Sequence, residues 1–173
     1  RLGFSCITKD AGWYGDSLVL GGCEVTLLET AGAYRTLATG GNAGLISWIE
    51  EAPSVEKRKI ISSGVAALTI DILEDERRLM PLYRELFGEE GTVIAFKTGT
   101  SYGLRDDRTA AVTKPYTLVV WFGEPTGKPH QALVLSDAAG QLMTDSGKVI
   151  GKASTSAQQI TCSARICCDS RAP

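Results

Sequence analysis

Apolar residues between Gly21 and Gly41, in GGCEVTLLETAGAYRTLATGG, recur at helical spacing. Val25, Leu28 and Gly32 fall on one side, and Leu27, Ala31, Tyr34 and Ala38 fall beside them. A Gly-Gly pair at each end punctuates the pattern, which predicts a short buried helix. After a polar segment through Pro53 that reads as a loop, IISSGVAALTIDILEDERRL repeats the period through Val65, Leu68 and Ile72. Ser62 or Ser63 is placed to cap this second helix by accepting a free backbone N–H of its first turn. Glu74, Asp75 and Glu76 run against the helix dipole and are offset by Arg77 and Arg78, so they read as a solvated helix end.

The period then changes. TVIAF reads as a strand, while TAAVT and YTLVVWF, separated by Lys114 and Pro115, read as a hairpin. In YTLVVWF, Tyr116, Leu118, Val120 and Phe122 alternate with Thr117, Val119 and Trp121, and both sets are largely apolar. A strand covered on both faces is implied, hence a central one. Helices followed by antiparallel strands predict an α+β fold, with an antiparallel sheet flanked by helices. Beyond Gly127 the pattern degrades: QALVLSD fits a strand or a helical turn, and residues from about Ser146 onward are expected to be poorly ordered. The expected division is therefore 1–129 as the folded unit and 130–173 as a divergent tail.

Composition narrows the function classes. The chain has 173 residues, 43% hydrophobic and 22% charged, which suits one globular domain. Its formal net charge of -2 arises from interspersed acids and bases, so no phosphate-binding stripe stands out and no nucleic-acid partner is expected. No apolar run approaches the roughly 18 residues of a membrane span, and no signal peptide opens the chain, so a soluble chain without a targeting segment is expected. It begins with Arg1 rather than Met, which suggests a piece of something longer. Cys6, Cys23, Cys162, Cys167 and Cys168 are odd in number and lack C-x-x-C spacing, and His130 is the single histidine. They predict neither a metal site nor a fixed disulfide framework, and no cofactor is expected.

The chemistry concentrates in VIAFKTGTSYGLRDD, residues 93–107. A strand ending on Lys97 and followed by Thr98, Gly99 and Thr100 sets a cation and two hydroxyls around a spot a backbone can approach. An extended peptide could pair with this edge while Lys97 and the hydroxyls receive its carboxylate. The same residues also fit an ordinary edge strand protected by lysine and finished by a polar turn.

Lys-Thr-Gly is the third of three motifs in serine penicillin-recognising enzymes, after Ser-x-x-Lys and Ser-x-Asn. Here it stands in FKTGTSYGLRDDRTAAVTKPYTLVVWFGEPTGKP, which resembles the transpeptidase domain of class A penicillin-binding proteins, particularly the 1C subgroup. SLVLGGCEVTLLETAGAYRTLATGG and ISSGVAALTIDILED resemble two upstream blocks of that family, in its order, so the resemblance runs from about Leu2 to Pro129. It implies a partial penicillin-recognising serine transpeptidase (β-lactamase-like) fold and acyl transfer that cross-links peptidoglycan stem peptides. The implied partner is such a stem peptide or a β-lactam, and the parent is expected at the periplasmic, outer face of the cytoplasmic membrane, held there only by segments outside this chain. By position, Lys97 is implied to supply positive potential near the nucleophile. Thr98 and Thr100 are implied to hold a carboxylate, with the Thr100 N–H in the oxyanion hole, and Gly99 to leave room for the substrate backbone. The resemblance also implies that Ser101 closes the substrate-binding run and, with Tyr102, Gly103, Arg105 and Asp106, forms a turn that braces the strand. Asp107 and Arg108 depart from the small residue and the aromatic expected there.

Two motifs are missing. Before Lys97, Ser-x-x-Lys spacing occurs only at Ser54 to Lys57, between the matched blocks, beside Pro53 and a charge run. Asn42 is the single asparagine, and position 40 is glycine, so Ser-x-Asn is absent. The expectation is the C-terminal part of a transpeptidase domain, cut after its second motif and inactive alone, with its usual C-terminal helix replaced and apolar surface left exposed. The alternative is a non-catalytic peptide- or partner-binding domain that keeps only the anion-binding strand edge.

Overall fold

The computed structural model describes residues 2–44, 46, 57–75, 95–113, 116–124, 126–129 and 159–161. The short helix α1 (Ala11–Tyr14) leads into a single stretch of 3-10 helix, Gly15–Leu20. Helix α2 follows at Leu27–Ala38, inside the span its period predicts. Its start is a reciprocal cap that the flanking glycines did not reveal. The Thr26 hydroxyl accepts from the Glu29 N–H at 3.2 Å, and the Glu29 carboxylate accepts from the Thr26 N–H at 2.8 Å. The same carboxylate accepts from the Ser5 N–H at 2.7 Å, tying the N-terminal segment to α2. Burial, the largest single influence on Glu29, pushes its pKa up, but the hydrogen bonds from Ser5 and Thr26 together outweigh it and hold it at about 2.

At the other end of α2 the chain reverses through Gly40 and Gly41, both with positive φ. A Cβ on Gly41 would lie 1.9 Å from the Ile61 carbonyl oxygen, so no other residue fits this turn. The crossing is pinned by the two-residue pair β1 (Asn42–Ala43) and β2 (Arg58–Lys59).

Helix α3 spans Ser63–Leu73, capped by the Ser62 hydroxyl, which accepts from the Val65 N–H at 3.3 Å. Its orientation differs from the simple reading of its stripe. Val65, Leu68 and Ile72 are 55%, 60% and 54% exposed, whereas Ala66 is buried, with Ile70 and Leu73 half-buried beside it. Both stripes of α3 are apolar, so period alone could not choose between them, and packing on α2 and the sheet edge selects the smaller one.

The main sheet has the order β3-β4-β5-β6, with β3 at Ala95–Thr100, β4 at Asp106–Val112, β5 at Tyr116–Gly123 and β6 at Gln159–Thr161. The first three are antiparallel neighbours, as expected. β6 runs parallel to β5, so the sheet is mixed rather than purely antiparallel. The Thr113 N–H donates to the Tyr116 carbonyl at 2.8 Å, joining the end of β4 to the start of β5. β5 is central, and Tyr116 through Val120 are all buried. On one face Ala110 and Val119 pack against Ala31, Leu27 and Tyr34 of α2, and on the other Ala111, Tyr116, Leu118 and Val120 cluster with Phe96. The arrangement is α+β, as the pattern predicts. The expectations for QALVLSD and for the tail lie outside the described residues, apart from Gln159–Thr161.

Candidate functional site

β3 forms one edge of the described sheet, and its register fixes where each residue of the Lys-Thr-Gly run stands. Lys97 pairs with Ala110, Thr98 with Thr109, Gly99 with Arg108 and Thr100 with Asp107. Strand alternation therefore puts Lys97 and Gly99 on the face that carries α2, and Thr98 and Thr100 on the opposite face with Phe96. A cation and two hydroxyls on opposite faces can converge only across the edge of the strand that no described strand pairs, beside Gly99. Lys97, Gly99 and Thr100 are exposed and Thr98 is half-buried. The Lys97 ammonium donates to the Thr98 carbonyl, which curls it along that edge.

The strand does not stop at Lys97, as the run VIAF suggested, but pairs as far as Thr100. On an edge strand these polar side chains face water, so hydrophobic alternation fades while backbone pairing persists. Gly99 keeps an ordinary φ, and a Cβ placed on it meets no heavy atom within 4 Å. Among the described residues nothing therefore requires glycine at this position.

The hairpin that follows is held by Asp106. The Ser101 N–H donates to the Asp106 carbonyl at 2.8 Å, and the Asp106 N–H donates to the Ser101 hydroxyl at 2.9 Å. That hydroxyl donates onward to Asp106 Oδ2 at 3.2 Å, while Trp121 Nε1 donates to Asp106 Oδ1 at 2.9 Å. Asp106 thus links the end of β3 to central β5, and the Ser101 side chain is engaged inside this brace. Gly103 and Leu104, with φ of 78° and 54°, make the reversal and leave Tyr102 fully exposed. The Asp106–Trp121 bond was not visible in sequence, because it spans two strands whose register only pairing fixes. Asp107 is buried on the face of Thr100, and Thr109 is buried with its hydroxyl unpartnered. Arg108 stands across from Gly99 and is half-buried.

Other sequence candidates separate from this edge. Asn42 donates its side-chain N–H to the Thr39 carbonyl at 2.8 Å, so the single asparagine ties β1 back to the residue that ends α2. Ser54 lies outside the described residues, as do Cys162, Cys167, Cys168 and His130. Cys6 and Cys23, which spacing gave no reason to pair, bring their sulfurs to 2.9 Å.

Comparison with curated proteins finds 36% identity over 113 residues with penicillin-binding protein 1C of Escherichia coli (strain K12). The chain carries a region related to penicillin-binding protein 1C. The match takes in 65% of this chain but only 14% of the relative, so the chain spans a small part of penicillin-binding protein 1C. No family model matches. Among the described residues no helix is long and apolar enough to cross a membrane.

Proposed function

We propose that this chain is the C-terminal part of a penicillin-recognising D,D-transpeptidase domain, and that β3 is the wall of its active site that receives the substrate carboxylate. The observation that carries this reading is the open edge at Gly99, flanked by Lys97 and by Thr98 and Thr100, in a chain related to a protein named for penicillin binding. An extended peptide laid beside β3 would add to the side that no described strand pairs. Lys97 from one face and the threonine hydroxyls from the other would grip its terminal carboxylate with charge-assisted hydrogen bonds. The Thr100 N–H would serve as one donor to the developing oxyanion, and Ser101 would order the end of this wall through Asp106. The acylating serine would come from the parent's segment that bears Ser-x-x-Lys, because no sequence of that spacing and context precedes β3 here. On this reading the parent would act at the periplasmic side of the cytoplasmic membrane, in cell-wall cross-linking.

A second reading is supported by that same missing motif: an edge that binds a peptide or partner without catalysis. Fluorescent penicillin separates the two. This chain alone is expected to stay unlabelled, and the same chain joined to the parent's upstream transpeptidase segment is expected to label covalently. Labelling of the isolated chain would overturn the proposed absence of the nucleophile. Failure of the joined protein to label would leave the binding reading.

A further inference from the structure

The N-terminal segment is fastened to α1 through Tyr14 and to α2 through Glu29. The Tyr14 hydroxyl donates to the Cys6 carbonyl at 2.8 Å and accepts from the Thr8 N–H at 3.0 Å, which fixes the backbone around Cys6. Ser5 is bound to Glu29, and Cys23 lies three residues before the Thr26 cap, so the two cysteines sit on separately anchored pieces of chain. Between them the Sγ atoms are 2.9 Å apart, 17 positions apart in sequence, and both thiols are free and half-buried. A disulfide has a length of about 2.05 Å, so the bond requires the sulfurs to close by less than about 1 Å.

We propose that Cys6 and Cys23 are a disulfide-forming pair, closed by exchange with a small-molecule or protein disulfide, that locks residues 6–23 onto the start of α2. The atoms balance as a two-step exchange. One thiolate attacks the oxidant's disulfide and expels a thiol, giving a mixed disulfide. The second thiolate then attacks the protein sulfur of that mixed disulfide, so two S–H bonds are lost, one Cys6–Cys23 bond forms, and the oxidant leaves as two thiols. Burial first, then the hydrogen bond and charge of Cys6 and the charge of Glu29, push the Cys23 thiol up to about 11, with Arg108 opposing them. Cys23 is therefore protonated near neutral pH, and closure accelerates as pH rises toward that value. The lock fits an oxidising compartment but does not depend on the transpeptidase reading.

The test incubates the full chain with oxidised glutathione, in native buffer and in urea, then alkylates free thiols and maps peptides by mass spectrometry. The expected result is a peptide containing Cys6 linked to one containing Cys23, formed about tenfold or more faster in native buffer, where the fold holds the sulfurs together. The linkage should raise the Tm of the unmutated chain, and dithiothreitol should reverse that rise. Recovery of Cys6 and Cys23 both alkylated, both capped by glutathione, or linked only to Cys162, Cys167 or Cys168 would overturn the proposal. Equal rates in native buffer and urea would overturn it as well.

Discussion

β5 and β3 belong to one sheet and are two strands apart, yet they are built for opposite purposes. β5 is paired on both sides at Thr117 and Leu118 and buried on both faces from Tyr116 to Val120. Among the described strands β3 has a partner on one side, and beyond Phe96 it carries the exposed Lys97, Gly99 and Thr100. Apolar burial scales with the area withdrawn from water, so the sheet's stability is concentrated in β5. What β3 contributes is an edge that no described strand pairs, with a cation beside it, which is exposed surface rather than core. Asp106 joins the two regimes, because its carboxylate receives Trp121 of β5 while its backbone and other oxygen hold Ser101 at the end of β3.

The widest separation should appear in stability. Leu118→Ala in β5 removes a buried side chain from the cluster with Ala111, Tyr116, Val120 and Phe96, and is expected to cost about 3 kcal/mol by denaturant unfolding. A change near zero for Leu118→Ala would break the distinction between the strands.

A smaller effect is expected at the α2 cap. The folded pKa of Glu29, about 2, lies below its ordinary 4.5, so the stability it confers is complete above about pH 4.5 and is lost as pH falls toward 2. Glu29→Gln should cost roughly 1 kcal/mol at neutral pH and flatten the dependence of Tm on pH across that window. An unchanged acid limb would show that the Ser5 and Thr26 hydrogen bonds do not hold the carboxylate.

The smallest stability effects belong to the proposed site. Lys97→Ala and Gly99→Ala should each stay within about 0.5 kcal/mol, since Lys97 is solvated and a Cβ on Gly99 meets open space. A large loss in either variant would turn this edge back into ordinary structure.

The contrast also explains what was legible in the sequence. Dense apolar pattern marked β5 as central and placed α2 and α3, because burial writes itself into periodicity. It failed where burial was ambiguous or absent. α3 has two apolar stripes and turned the smaller inward, and β3 continued through Lys97 to Thr100 although its side chains face water. The parallel pairing of β6, the Asp106–Trp121 bond and the approach of Cys6 to Cys23 join positions far apart in sequence, where local pattern carries no information. The motif Lys-Thr-Gly fits an ordinary edge strand protected by lysine as well as a ligand wall, so pattern could not choose between them; our proposal is that it receives a carboxylate.

The most direct test of that last statement is an NMR titration of this chain with a peptide ending in D-Ala-D-Ala, followed through the backbone amides. The account predicts shifts confined to β3 and its hairpin, from Lys97 to Ser101, with affinity weakened about tenfold or more in Lys97→Ala, as expected for loss of a charge-assisted contact to a carboxylate. Shifts elsewhere, or an affinity that Lys97→Ala leaves unchanged, would contradict the assignment of β3 as the carboxylate-binding wall.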